Sequence, residues 1–202
     1  MLKHIVSAAL VFIASFGALA DSNEYANPTV GFRITKPEAW QFATAQQNLN
    51  NLRSTKLQSA EMQEAMVKYA AAPLVVMFKY PEPYQDINPS FKVNIKPLGQ
   101  LKGRDAKEIA GLLLPSLQKA FKEFAVAQEP SDVTVSGLKG AYVRVTYSLE
   151  IPEVGLFPTS SELWIVPRGD YFFMIGAGTR TDEKTGSRQE IQDIVKTIRI
   201  EP

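Results

Sequence analysis

The stretch GAYVRVTYSLEI, Gly140 to Ile151, constrains the fold more than any other part of the chain. Ala141, Val143, Val145, Tyr147, Leu149 and Ile151 alternate with Arg144, Thr146, Ser148 and Glu150. A period of two held this long is a strand, and a helix cannot use it. One apolar and one polar edge mark a half-buried antiparallel strand rather than a strand of a doubly wound parallel sheet. SELWIV and YFFMIGAG follow, flanking Pro167-Arg168-Gly169-Asp170, which reads as a hairpin turn. That turn chemistry accounts for the Arg-Gly-Asp tripeptide without an adhesive role.

Earlier strands follow the same logic. GFRIT sets Phe32 and Ile34 on one face, and SFKVNIKP sets Phe91, Val93 and Ile95 against Lys92, Asn94 and Lys96. PLVVMFKY is apolar on both faces, as a central strand should be. Pro37 ends the first of these strands because it has no ladder donor, and Trp40 then falls where a large ring seals the end of the core.

Three helices are predicted. TKLQSAEMQEAMVKYA opens with Thr55 and Gln58 at capping-box spacing and carries Leu57, Met62, Met66 and Tyr69. DAKEIAGLLLPSLQKAFKEF opens with Asp105 and Glu108. Its apolar stripe is Ile109, Leu112, Leu113, Leu117, Ala120, Phe121 and Phe124, with Pro115 expected to kink or restart it. SRQEIQDIVKTI is capped by Ser187 with Glu190 and presents Ile191, Ile194, Val195 and Ile198. Strands in series with helices inserted, and a helix to close, give an α+β sandwich on an antiparallel sheet.

The first twenty residues are set apart from this fold. A short positive head at Lys3 and His4, the apolar run IVSAALVFIASFGALA and the Ala18-Leu19-Ala20 site have the layout of a cleavable signal peptide, with cleavage expected after Ala20. The expectation is a protein exported to the periplasm or beyond, with residues 21–202 as a single domain and no stable membrane insertion once the leader is gone. Setting the leader aside takes Lys3 from the 22 basic residues and leaves 21 against 21 acidic ones. A balanced chain lacks the basic excess that nucleic-acid binding needs.

The chain has no cysteine, and its one histidine, His4, lies in the leader. This excludes a Ser-His-Asp triad, a thiol nucleophile and an imidazole or thiolate zinc site from the domain. No disulfide supports the fold either. GAGTR, Gly176 to Arg180, lacks the full glycine fingerprint of a phosphate loop, so no cofactor and no metal is expected. Glu150 and Glu162 could meet across a hairpin as an acid pair for glycoside hydrolysis, although such pairs are more often simply solvated.

An aromatic strand leading into a proline-x-x-tryptophan turn, GFRITKPEAW, stands at one end of the chain, and DIVKTIRI closes the other. With a long helix before a hairpin-rich half between them, the chain resembles the PsbP-like superfamily from about Val30 to Ile200. The resemblance implies an α/β/α sandwich with a central antiparallel sheet. It also implies action through binding other proteins, with no shared catalytic residue to carry over. Some exported bacterial members of that superfamily also carry an early helix where TKLQSAEMQEAMVKYA stands.

Three surfaces are candidates for function. In YPEPYQDINPSF, Tyr80 and Tyr84 sit on a proline-rich connection that is either a partner-binding loop or a stiffened hairpin link. In EIPEVGLFPTS, Val154, Leu156 and Phe157 form a docking tip, unless the loop folds back and buries them. Lys92, Lys96 and Arg144, with Thr146 and Glu150, could line a groove for an anionic ligand if their strands are neighbours, or could be a solvated face. The expectation is therefore a non-enzymatic accessory or assembly protein that binds an envelope protein partner. The alternative is a periplasmic small-ligand binding module.

Overall fold

The computed structural model describes residues 22–69 and 73–201, apart from a few side chains near residues 65–69. The chain opens with β1 (Glu24–Asn27), β2 (Phe32–Thr35) and β3 (Gln41–Phe42), followed by helices α1 (Ala45–Ser54) and α2 (Ala60–Tyr69). Then come β4 (Val75–Phe78), β5 (Ser90–Pro97), α3 (Ala106–Ala120), β6 (Lys122–Val135), β7 (Leu138–Ile151), β8 (Gly155–Arg168) and β9 (Tyr171–Arg180). Helix α4 (Arg188–Thr197) and β10 (Arg199–Ile200) close it. Seven strands make one antiparallel sheet in the order β3-β4-β5-β9-β8-β7-β6, and β1-β2-β10 form a small second sheet. Helices and the small sheet pack on the two faces, so the α+β sandwich around a central antiparallel sheet is present as expected.

The two faces follow from register. Lys92 lies beside Gly176, Gly176 beside Leu163, and Leu163 beside Val143, so these four share one face. One residue along, Phe91, Ala177, Glu162 and Arg144 share the other. The second face holds the main core. Ile191, Ile194 and Ile198 of the α4 segment meet Phe32 and Ile34 of the small sheet over Phe91, Val93, Trp164, Phe173 and Ile175. Trp40 is 1% exposed within this cluster, the plug that its place after Pro37 predicts. The first face is covered in part by α3, whose Ile109 and Ala110 pack over Ala141, Val143, Ile165 and Phe172.

Helix ends agree with the capping signals in two places and differ in one. Asp105 caps α3 by accepting from the Glu108 N–H, and Ser187 and Glu190 form a complete capping box on α4. The segment from Thr55 is not one helix. Helix α1, capped by Thr44 and Gln47, occupies residues assigned to no element, and Thr55 is its C-cap rather than an N-cap. The chain then leaves helix because the Lys56 N–H donates to the Glu150 carbonyl and the Gln58 N–H to that of Ala120. Backbone groups satisfied this way cannot also make helical bonds. Leu57 is buried and Met62 packs against the same cluster; Met66, Tyr69 and Ala70 fall outside the described side chains.

Helix α3 runs through Pro115 without interruption, but it ends at Ala120, and Phe124 lies in β6. Leu112, placed in the apolar stripe by periodicity, is 51% exposed.

Candidate ligand cavity

Helix α3 does not cover the whole of its face of the sheet. Toward β5 and β9 the face is built from small residues, Ser90, Gly176, Gly178 and Ser161, all on the inward parity of their strands. A Cβ added at Gly176 would meet no atom within 4 Å, so open space stands directly over this strand. Gly176 is not in the left-handed region. What it supplies is a missing side chain rather than a special backbone shape. Around this gap lies a cavity of about 570 Å³. Its floor is Val143, Val145, Tyr147, Leu163, Met174 and Gly176. Its walls are the end of α1 with Leu57, the α3 residues Leu113 and Leu117, and the loop from Glu82 to Asn88. A concave space whose surface is mostly apolar, with polar groups at its rim and floor, is the usual form of a small-molecule site.

The polar groups are unequal in their pairing. Glu82 accepts from the Asn51 and Asn88 amides at 3.0 and 2.9 Å and from the Tyr84 N–H at 3.0 Å. Asp86 accepts twice from one Arg180 nitrogen, both at 2.8 Å, and Arg180 also donates to Asp182. The Tyr147 hydroxyl and Ser161 Oγ lie 2.8 Å apart at the floor, and the Tyr147 ring stacks on Phe121. Lys92 differs: among the described residues no hydrogen bond or salt bridge reaches its ammonium. Burial pushes its pKa down to about 8, with the charge of Glu82 pulling the other way.

The sequence-derived candidates are partly separated. Lys92 lines the cavity. Lys96 is on the same face beside Phe172, outside the cavity lining. Arg144 is on the opposite face beside Glu162, so a groove of Lys92, Lys96 and Arg144 does not exist. Glu150 binds Lys56 and Lys122, at 3.0 and 2.7 Å, and sits opposite Leu156 rather than Glu162. Glu162 is 2% exposed and accepts from Tyr142, Arg188 and Gln192. The acid pair is therefore absent, because each carboxylate is held in its own network.

Tyr84 lines the cavity through the 82–88 wall, and Tyr80 stacks on it at 4.7 Å. The Tyr80 hydroxyl donates to the Thr185 carbonyl, and the proline-rich segment is a partly buried connection between β4 and β5. At the other candidate loop the strands run further than expected. Leu156 and Phe157 belong to β8, the turn is reduced to the residues from Pro152 to Val154, and Phe157 packs under the Arg180 guanidinium. Val154 and Leu156 remain 47% and 52% exposed. Gly176, Met174 and Tyr147 line the site without any sequence motif to mark them. The signal available was Gly176 and Gly178 two apart on one face of a strand.

No family model matches the sequence, and no curated protein matches it. Solved structures do. LpqN of Mycobacterium tuberculosis, described as involved in cell envelope biogenesis, is similar at 15% identity over 85% of this chain and 83% of its own, with a TM-score of 0.50. The cyanobacterial PsbP, CyanoP, of Synechocystis sp. PCC 6803 is similar at 10% identity over 94% of this chain and 99% of its own, with a TM-score of 0.51. At these identities the likeness concerns the fold. The chain has the PsbP-like fold.

Proposed function

We propose that this protein is an exported, non-enzymatic accessory protein of the cell envelope that holds a small, largely apolar molecule in the cavity over Gly176. The observation that carries this reading is the cavity itself, about 570 Å³ bounded by Val143, Val145, Leu163 and Met174 on a sheet whose other face is filled. Cores normally pack without such gaps, and an unfilled apolar void lowers stability. The leader layout and the exclusion of histidine and cysteine chemistry support export and a binding role. A protein partner is a second reading, favoured by the exposed Val154 and Leu156 at the β7–β8 turn.

One experiment separates the two. N-phenylnaphthylamine, an uncharged apolar probe, should gain fluorescence on mixing with the protein. Gly176→Phe should remove about tenfold or more of that affinity by filling the void, with circular dichroism unchanged. No fluorescence gain, or full binding by a folded Gly176→Phe variant, contradicts the ligand reading. The partner reading predicts instead that Leu156→Asp, and not Gly176→Phe, abolishes capture of the partner from envelope extract.

A further inference from the structure

Lys92 is the cavity residue whose presence the packing does not explain. Lys92 is half-buried among the cavity's lining, so its ammonium gives up part of its hydration there, which an apolar side chain would not have to do. Asp86 is paired with Arg180, whereas Glu82 accepts only from the neutral Asn51 and Asn88 amides and the Tyr84 N–H, so its charge acts on Lys92 through space without a salt bridge. On the floor the Tyr147 hydroxyl and Ser161 Oγ satisfy one another, and Ser90 and Asn94 flank Lys92 on the same face of β5. The cavity therefore offers one half-buried cation without a salt bridge beside an apolar floor, with Asp86 neutralised by Arg180 and Glu82 as the remaining charge on the 82–88 wall.

We propose that the cavity selects single-tailed anionic amphiphiles, the head group pairing with the Lys92 ammonium and the tail lying along Val143, Val145, Leu163 and Met174. This inference rests on the ligand reading above and names the chemistry of the ligand. A carboxylate head would meet the ammonium in a charge-assisted bond, and these are about twice as strong as neutral ones. The pairing would also offset the hydration that the half-buried ammonium has given up. The tail would take the space over Gly176 that no side chain fills. Neutral amphiphiles of the same length would gain the tail contacts only.

Calorimetric titration of the full chain with decanoate, decanol and methyl decanoate tests this. Decanoate should bind about tenfold or more tightly than either neutral analogue. Lys92→Met should bring decanoate down to the level of decanol, and its retained decanol binding shows that the variant is folded. Lys92→Arg should keep most of the preference. Equal binding of decanoate and decanol by the parent overturns the inference while leaving the ligand reading intact. A preference for decanoate that survives Lys92→Met also overturns it. Failure of all three compounds, and of N-phenylnaphthylamine, removes the ligand reading as well.

Discussion

At the scale of single residues, Lys92 is the group whose ionisation reports on the site. Its folded pKa of about 8 lies below the ordinary lysine value of 10.5, because burial disfavours the charged form. The sign follows from linkage. Below about pH 8 the lysine is charged in both folded and unfolded chains, and the fold carries the whole cost. Between about pH 8 and 10.5 the folded protein holds fewer protons than the unfolded one, so this group's contribution to stability improves as pH rises. Binding of an anion runs the opposite way. Decanoate affinity should be flat between about pH 6 and 7, where the ligand is still ionised, and fall as pH rises through 8, while the Lys92→Met profile stays flat across that window. Tyr84 and Tyr147, both raised above the ordinary tyrosine range chiefly by burial, stay neutral throughout it; Arg180 donates to Asp86, and Glu82, the charged group that acts on Lys92, is common to parent and variant. A parent profile that does not change between pH 7 and 9 contradicts Lys92 as the head-group partner.

Residue type alone said that a lysine stood at 92 and an arginine at 144, and parity within each strand was readable. What was not readable was the register between strands, since one residue of offset exchanges the faces. Lys92 and Arg144 were grouped as polar positions of two strands, yet β5 and β7 are separated by β9 and β8. The observed offsets put the two side chains on opposite sides of the sheet.

Among the elements, legibility tracked the strength of the local signal. Helix α4 has a capping box, a basic last turn and isoleucines at helical spacing, and it forms within a residue of the expected limits. Its cap is a separable contribution. Ser187→Ala removes the acceptor for the Glu190 N–H and should destabilise the protein by about 1 kcal/mol, seen as a lower midpoint in urea with an unchanged slope. No change in midpoint would mean that tertiary packing, not the cap, sets that end.

Helix α1 was missed for a physical reason. AQQNLNNLRS has no apolar stripe, and its one buried side chain is that of Asn48. Only the Thr44-x-x-Gln47 box marked it. The following helix was misplaced because Thr55 and Gln58 imitate a cap, while the backbone there bonds to β7 and to the end of α3. Those long-range bonds leave no trace in the local sequence. They help to set Leu57 against Phe121 and Ala120, and so to close the cavity wall.

Over the whole molecule, the fold was legible because alternation and capping agree along most of the chain. The cavity was not. It arises from a subtraction, the missing side chain of Gly176 opposite a helix that stops short of β5 and β9, and neither part is a motif. The two faces of the sheet are thus unequal: the α4 face is a packed core, and the α3 face holds a cavity. Methyl-resolved nuclear magnetic resonance during titration with decanoate tests that inequality most directly. The account predicts shifts at the methyls of Val143, Val145, Leu163 and Met174, with Val166, Ile191 and Ile194 unmoved. Shifts centred on the α4 face, or none at any face up to saturation of the titrant, would contradict it.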